Sequence, residues 1–367
     1  MRNQWSAISS RGSGWVANTP AALDTLADGW TELNSHLGSP VQSLAWVRAA
    51  SDTLLAGTGA QLSVVGVGPV DRPLALAPLS FHAGRPGWLE LLSVQQTYEP
   101  GDFLYRSPEA LDALVEHLGE LGSPLLFRRL YADSPLASAL LRRFRRRRLV
   151  HAQPAGACPF IELDESWREP ERHFPRKRRT DFRRSRRLAE KAGPVTFEIL
   201  SPTPDALDMP LADAMAVENA SWKGRNGSSL LQNPHRRLFF ERWARASAAE
   251  GALRLSFIRI GGKPAAMELG EERGGRYWTL KIGYDEAFSA CSPGTLLALH
   301  VMGWAAAKGL RSYELMGFSA DWTRRWTERE RACLSVRIYP VGVRGLAALG
   351  RDVAESALRR VSTRLSS

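Results

Sequence analysis

A chain of 367 residues is long enough for two ordinary domains, each with a core of its own. Hydrophobic residues at 44% and charged residues at 24% exclude a disordered chain, and 49 Lys and Arg against 38 Asp and Glu leave a net charge of +11 that favours an anionic partner. Cys158, Cys291 and Cys333 stand far apart without Cys/His ligand spacing, which argues against a disulfide framework or structural zinc and fits a reducing compartment.

In chain order, Met1 to Pro20 has Arg2 and Arg11 but no continuous apolar core, so no signal peptide is expected. Asp24 to Asn34 and Ser43 to Leu55 have amphipathic-helix spacing that buries Trp30 and Trp46. The most apolar stretch, Leu62 to Phe81, is cut by Asp71, Arg72 and Pro73; it predicts a hairpin of Gln61 to Val67 and Leu74 to Phe81 rather than a membrane span, with Trp88 to Val94 extending the sheet. Helices follow at Pro108 to Leu121 and Pro135 to Arg148, with strands at Pro124 to Leu130 and Phe160 to Leu163.

The same order then recurs. Glu171 to Ala192 is a basic helix, Val195 to Leu200 a strand, and Asp205 to Trp222 and Pro234 to Glu250 are helices. Leu253 to Ile260, Ala265 to Glu271 and Tyr277 to Tyr284 form a three-strand meander, and strands at Ser312 to Met316 and Cys333 to Tyr339 close the pattern. Two copies of one α+β unit explain it. Between Tyr284 and Gly309, Ser292 is a natural N-cap, Pro293 suits the first helical position, and Leu296, Leu297, Leu299, His300, Val301 and Trp304 continue at helical spacing. A helix starting at the carboxyl end of a strand offers free N–H groups and a positive dipole end to an anion.

Five words in the second half carry a resemblance: Arg178 to Gly193 (RRTDFRRSRRLAEKAG), Glu218 to Gly224 (ENASWKG), Gly262 to Ala266 (GKPAA), Lys281 to Glu286 (KIGYDE) and Ser292 to Leu297 (SPGTLL). In this order they resemble the GNAT-superfamily domain of CelD-type, cellulose- and exopolysaccharide-associated proteins, and the whole chain resembles the tandem GNAT arrangement of Fem-type aminoacyltransferases. The fold implied is α+β: two tandem GNAT-like domains, each a mixed, mostly antiparallel sheet flanked by helices, at 1–165 (degenerate) and 166–340, plus a C-terminal basic amphipathic helix at 341–367. Two words depart from the superfamily pattern: the usual basic residue and glycine pair of the pyrophosphate loop is replaced by Ala290-Cys291-Ser292-Pro293-Gly294, and the aromatic-Lys pair near the domain end by Asp321-Trp322-Thr323-Arg324-Arg325-Trp326.

The activity implied is N-acyl transfer from acyl-CoA or acetyl-CoA as co-substrate, without a metal, to a small-molecule or lipid-linked amine of a saccharide or envelope precursor. Backbone N–H groups near Lys281, Ile282 and Gly283 would polarise the acyl carbonyl, while Ser292, Gly294 and Thr295 would hold donor phosphate. Glu218 is the first choice for the proton acceptor, or it pairs with Lys223 or Arg225; Asp285 is the second, or it caps a turn. Lys281, inside an apolar strand, contacts donor phosphate or the oxyanion, or is salt-bridged. Trp222, Lys223 and Tyr284 line the acceptor side, or the aromatic pair is plain core.

The arginine runs admit three readings. Arg142 to Arg148 holds six arginines in seven positions, and Arg176 to Arg187 eight basic residues against Asp181. A tRNA surface, anionic lipid and a solvated arginine-rich surface compete. In the tail, Leu346, Leu349, Val353, Leu358, Val361 and Leu365 lie on one face with Arg344, Arg351, Arg359, Arg360 and Arg364 around the other, which suits docking on the protein or peripheral contact with an anionic membrane. The expectation is a cytoplasmic acyltransferase, at the inner face of the membrane if the tail binds lipid. Its rivals are an aminoacyl-tRNA-dependent transferase, a sphingoid-type lipid-amine N-acyltransferase and a non-catalytic sensor of anionic ligands.

Overall fold

The computed structural model describes residues 8–11, 14–83 and 87–365; residues 1–7, on which the signal-peptide expectation partly rests, lie outside it. The chain folds into two compact units. The first takes in residues up to Ala157, apart from Gly38–Pro40, and those from Arg331 onward; the second is Gly38–Pro40 with Cys158–Glu330.

The first unit begins with strands β1 (Ile8–Arg11) and β2 (Gly14–Ala17) and helices α1 (Ala22–Thr25), α2 (Ala27–Leu37) and α3 (Leu44–Thr53). Strands β3 (Ala60–Val67), β4 (Ala75–His82) and β5 (Trp88–Leu91) follow as a meander, then α4 (Val94–Thr97), β6 (Leu104–Tyr105), α5 (Pro108–Glu120), β7 (Leu125–Tyr131), α6 (Pro135–Phe144) and β8 (Leu149–Glu162), whose end enters the second unit. Ser107-Pro108 and Ser134-Pro135 start α5 and α6 as a capping hydroxyl followed by proline in the first turn. Leu111, Leu114, Val115 and Leu118 of α5 pack on Val65, Val67, Ala77 and Leu79, so β3 and β4 are covered.

The second unit runs α7 (Arg176–Ala192), β9 (Val195–Leu200), α8 (Asp208–Asn219), α9 (Trp222–Arg225), α10 (Pro234–Ala249), β10 (Leu253–Ile260), β11 (Lys263–Arg273), β12 (Arg276–Tyr284), α11 (Pro293–Ala307), β13 (Ser312–Glu314) and α12 (Asp321–Arg324). Its sheet order is β9-β10-β11-β12-β13, with the end of β8 beyond β13. Each unit is thus a mixed sheet flanked by helices, built as an antiparallel meander, a helix, and a return strand parallel to the third: β7 runs parallel to β5, and β13 to β12. The expected repeat is present.

Several boundaries differ for local reasons. The basic helix starts at Arg176 rather than Glu171, because Pro175 forces Phe174 into extended backbone and leaves two short 3₁₀ turns before it. The helix expected from Asp205 to Trp222 is two, α8 and α9, because Ser221 is extended and its hydroxyl caps the Lys223 N–H. The strand expected at Phe160 is the end of the much longer β8, whose Pro154, Gly156 and Pro159 mask its pattern.

The last strand also changes partner. β14 (Glu330–Tyr339) pairs antiparallel with β7, and its Val336 and Ile338 enter the core of the first unit, so that sheet reads β1-β2-β3-β4-β5-β7-β14 instead of leaving β14 to the range 166–340. Helix α13 (Val343–Leu365) belongs to the same unit: Ala348 and Leu349 pack against Trp88, Leu126 and Tyr339, and the Tyr339 hydroxyl donates to Asp352 at 2.6 Å. Leu346 and Val353, expected on the docked stripe, point outward instead. The side chains of Leu358, Arg359, Arg360, Val361, Arg364 and Leu365 lie outside the described part.

Deep in the second unit, Glu268 of β11 accepts hydrogen bonds from the Tyr313 hydroxyl at 2.6 Å and from Thr279 at 2.8 Å, beside the stacked rings of Tyr277 and Tyr313. Burial pushes its carboxyl up from 4.5 to about 7. Between these values the folded chain keeps a proton that the unfolded chain has released, so stability falls as pH rises from 4.5 to about 7 and levels off above. Half-buried Asp102 in the first unit, raised to about 6, acts in the same direction, so a variant is needed to separate the two. In denaturant titrations at about pH 5 and about pH 7.5, Glu268→Gln should lose at least ~1 kcal/mol less stability than the parent. Equal losses would show that Glu268 is ionised in the fold.

Candidate active site

The site grows from one strand. β12 pairs with β11 along its length but with β13 only where Tyr277 and Trp278 face Tyr313 and Glu314. β13 stops at Glu314, and Met316 and Gly317 beyond it are both left-handed (φ 52° and 55°), so residues 279–284 run on past their parallel partner. A bulge sits at Leu280: Gly270 faces Thr279, and Leu269 faces Lys281. Gly270 permits the close packing there, since a Cβ would lie 2.7 Å from both the Trp278 carbonyl and the Tyr277 hydroxyl.

After the bulge, alternation divides the predicted residues between two faces. Lys281 and Gly283 point toward α8 and α10: the Lys281 ammonium stands 4.8 Å over the Phe240 ring, and a Cβ on Gly283 would lie 2.7 Å from Glu218 Cα. Ile282 and Tyr284 take the opposite face; Tyr284 packs into the core beneath α11 and lies 4.0 Å from where a Cβ on Gly294 would be. Lys281 is therefore turned away from α11, on the opposite side from any phosphate at that helix start.

The start of α11 differs from a simple capped turn. Ser292 is left-handed (φ 47°, ψ 53°) and makes no side-chain cap. Its carbonyl accepts the N–H groups of Thr295 and Leu296, and Pro293 has none to give. The first turn thus offers an anion the Gly294 N–H and the Thr295 hydroxyl. A Cβ on Gly294 would meet only the Tyr284 ring, at 4.0 Å, so the residues fit one phosphate group without a glycine pair.

Glu218, Lys223 and β12 form a clamp. Glu218 is buried and receives the Lys223 ammonium at 3.2 Å on one oxygen and the Leu230 N–H at 2.7 Å on the other. Lys223 also donates to the Ile282 carbonyl at 2.6 Å. Burial draws the Lys223 pKa down, opposed by Glu218. Of the two readings of Glu218, pairing with Lys223 is the arrangement present; Arg225 pairs instead with Glu286 at 2.8 Å. Asp285 caps the turn after β12, accepting the Ala287 N–H at 2.9 Å. Trp222 stands exposed on α9, apart from the face that holds Tyr284.

Sequence reasoning missed the bulge, although Gly270 inside the expected strand Ala265 to Glu271 signalled it. It also missed a cavity of about 650 Å³ between α8 and α10, walled by Leu211, Met215, Leu231 and Leu238 and rimmed by Arg237 and Arg245, which pair with Glu241 and Asp208. Among the described residues no group of three or more His, Cys, Asp or Glu is placed to hold a metal ion.

Two outcomes test the clamp. Gly283→Ala should destabilise the protein by about 1–3 kcal/mol, because the new methyl meets the α8 backbone, read as a lowered Tm. Glu218→Ala should cost about 3 kcal/mol by stranding the Lys223 ammonium, and Glu218→Leu with Lys223→Met should recover most of it. Failure of the double variant to recover stability would mean that the pair is not what holds α8 to β12.

Residues 176–324 match the family model for the acetyltransferase (GNAT) domain. No curated protein matches the sequence. Among solved structures, FemX aligns with a TM-score of 0.57 at 14% identity over 86% of this chain and 95% of that one. L-PGS from Bacillus licheniformis aligns with a TM-score of 0.54 at 12% identity over 93% and 97%. At such identity the likeness is one of fold. The chain carries a GNAT acetyltransferase domain at residues 176–324, within a fold shared along nearly the whole length of FemX.

Proposed function

We propose that this protein is an N-acyltransferase that moves an acyl group from acyl-CoA to an amine of a saccharide or lipid-linked envelope precursor. The observation that carries the reading is β12, bulged at Leu280 and running past the end of β13 toward the start of α11. In this reading the thioester lies along the free edge of β12, where N–H groups between Lys281 and Gly283 polarise its carbonyl as the amine attacks. Gly294 and Thr295 receive a donor phosphate. The acceptor approaches from the α8/α10 face, beside Lys281 and Trp222. Glu218 and Lys223 act as positioning residues and Asp285 as a turn cap, because their polar atoms are already engaged. The CelD-type resemblance supports the acceptor class, and the inner face of the membrane is the place such a precursor would be met.

A second reading, transfer from aminoacyl-tRNA, is favoured by α7. Among the described residues no ion pair engages its exposed Arg176, Lys177, Arg183, Arg184 or Arg187, whereas Arg142 and Arg143 of the other run pair with Asp112 and Glu116.

Calorimetric titration with acetyl-CoA and a long-chain acyl-CoA, beside an absorbance measurement of co-purifying RNA, separates the two. Acyl-CoA binding that Gly294→Asp weakens at least about tenfold supports the first; bound RNA with no CoA affinity sinks it. On an amine panel, Lys281→Ala should raise the acceptor KM about tenfold and leave donor Kd within about twofold. A loss of donor affinity would put Lys281 back on the phosphate side.

A further inference from the structure

Helix α13 has one face that its own unit does not use. Four of the five most exposed large apolar side chains among the described residues fall within thirteen positions: Val341 at 87%, Val343 at 84%, Leu346 at 70% and Val353 at 61%. Such a concentration separates this stretch from the singly scattered apolar residues of an ordinary surface.

Helical geometry sorts the first turns of α13 into three sides. The inner side is docked: Gly345 and Ala348 are buried, Leu349 packs against Trp88, Leu126 and Tyr339, and Asp352 accepts the Tyr339 hydroxyl while facing the Arg337 guanidinium at 3.4 Å. The outer side, an arc of about 120°, holds Val343, Leu346 and Val353 with only Ala347, Gly350 and Ala354 between them, and no polar side chain interrupts it. Arg344 and Arg351, both exposed, run along one edge of that arc. The helix is fixed by its inner side, so the apolar arc is held outward.

We propose that this arc is a membrane-contact surface, laid on an anionic bilayer with Val343, Leu346 and Val353 in the acyl boundary and Arg344 and Arg351 at the headgroups. The chemistry points to lipid rather than to a protein partner. A protein-binding patch concentrates aromatic or arginine anchors in a pocket and surrounds them with hydrogen-bonding groups, whereas this arc is aliphatic, convex and without a polar group of its own. An aliphatic strip edged by arginine on a chain of net charge +11 is the pattern that anionic interfaces take up. Among the described residues no helix is long and apolar enough to cross a membrane, so the contact is one of lying on the surface. The inference stands apart from the acyl-transfer reading, because α13 belongs to the first unit and uses none of the residues of the candidate active site.

The test is flotation of the full chain with vesicles of phosphatidylcholine alone and of phosphatidylcholine mixed with phosphatidylglycerol. Binding to the mixed vesicles should fall as salt rises above about 0.15 M. The triple variant Val343→Ser, Leu346→Gln, Val353→Ser should lose at least about tenfold in partitioning, since it removes the inserted methyl and methylene groups. Arg344→Glu should weaken binding to mixed vesicles alone. All four positions are exposed, so an unchanged Tm shows that the fold is intact. The proposal is overturned if the parent floats with neither vesicle or if the triple variant floats as well as the parent. It is also overturned if the parent is an oligomer in gel filtration that the triple variant dissolves, for then the arc joins copies of the chain.

Discussion

The second unit depends on how closely α8 approaches β12. Gly283 has no side chain, and the space a methyl would fill is taken by the backbone of Glu218. Contact at that distance fixes the height of α8 above the strand. Lys223 then ties the following turn to the Ile282 carbonyl, and Glu218 compensates the ammonium that this brings out of water. The bulge at Leu280 and the end of the β13 ladder lie along the same strand, and Tyr284 at its end packs beside Gly294 of α11, so the parts of the site are placed by one well-held element.

The same contact explains why charged side chains in this stretch are poor guides to chemistry. A carboxylate that is buried and held by an ammonium and a backbone N–H is shielded from an incoming substrate. In the proposed reading the functional capacity resides instead in backbone groups of β12 and in the first turn of α11, which would cost no side-chain reorganisation when a carbonyl or phosphate arrives. This fits a fold whose work is to polarise and position.

Much of the architecture was legible because it rests on periodicity and turn chemistry. The two meanders and their return strands were readable from apolar runs broken by Gly-Gly and Asp-Arg-Pro turns, and α11 from Pro293 and its leucine series. What stayed hidden was non-local. Nothing in the apolar alternation of Cys333 to Tyr339 says that its neighbour is β7, some two hundred residues earlier, since a strand pattern names a buried face and not a partner. The side of the sheet that Lys281 occupies was equally hidden, because the bulge at Leu280 offsets the alternation counted from Tyr277. Glu218 stood out in the sequence as a proton acceptor beside Trp222-Lys223-Gly224, with pairing to Lys223 or Arg225 as the other reading, and the turn at Ser221 into α9 brings Lys223 onto it.

The two arginine runs show how far composition can mislead and where it informs. In the first unit, α6 lies against α5, so Arg142 and Arg143 meet Asp112 and Glu116, and Arg148 reaches the Gly119 carbonyl, while Arg145, Arg146 and Arg147 stay exposed; the fold absorbs half of that run. In α7, Arg178 is held among Phe174, Phe182 and Trp326, which anchors the helix by cation–π contact, and Arg186 pairs with Glu190. Arg179 is half-buried, and the remaining cations of α7 stay in solvent, on a helix that packs against α11 through Phe182 and Leu299. A positive field set beside the helix that opens the site raises the local concentration of any polyanionic donor before contact is made. In the proposed readings, the charge that α7 leaves unpaired beside α11 is the part of the composition that would bear on function.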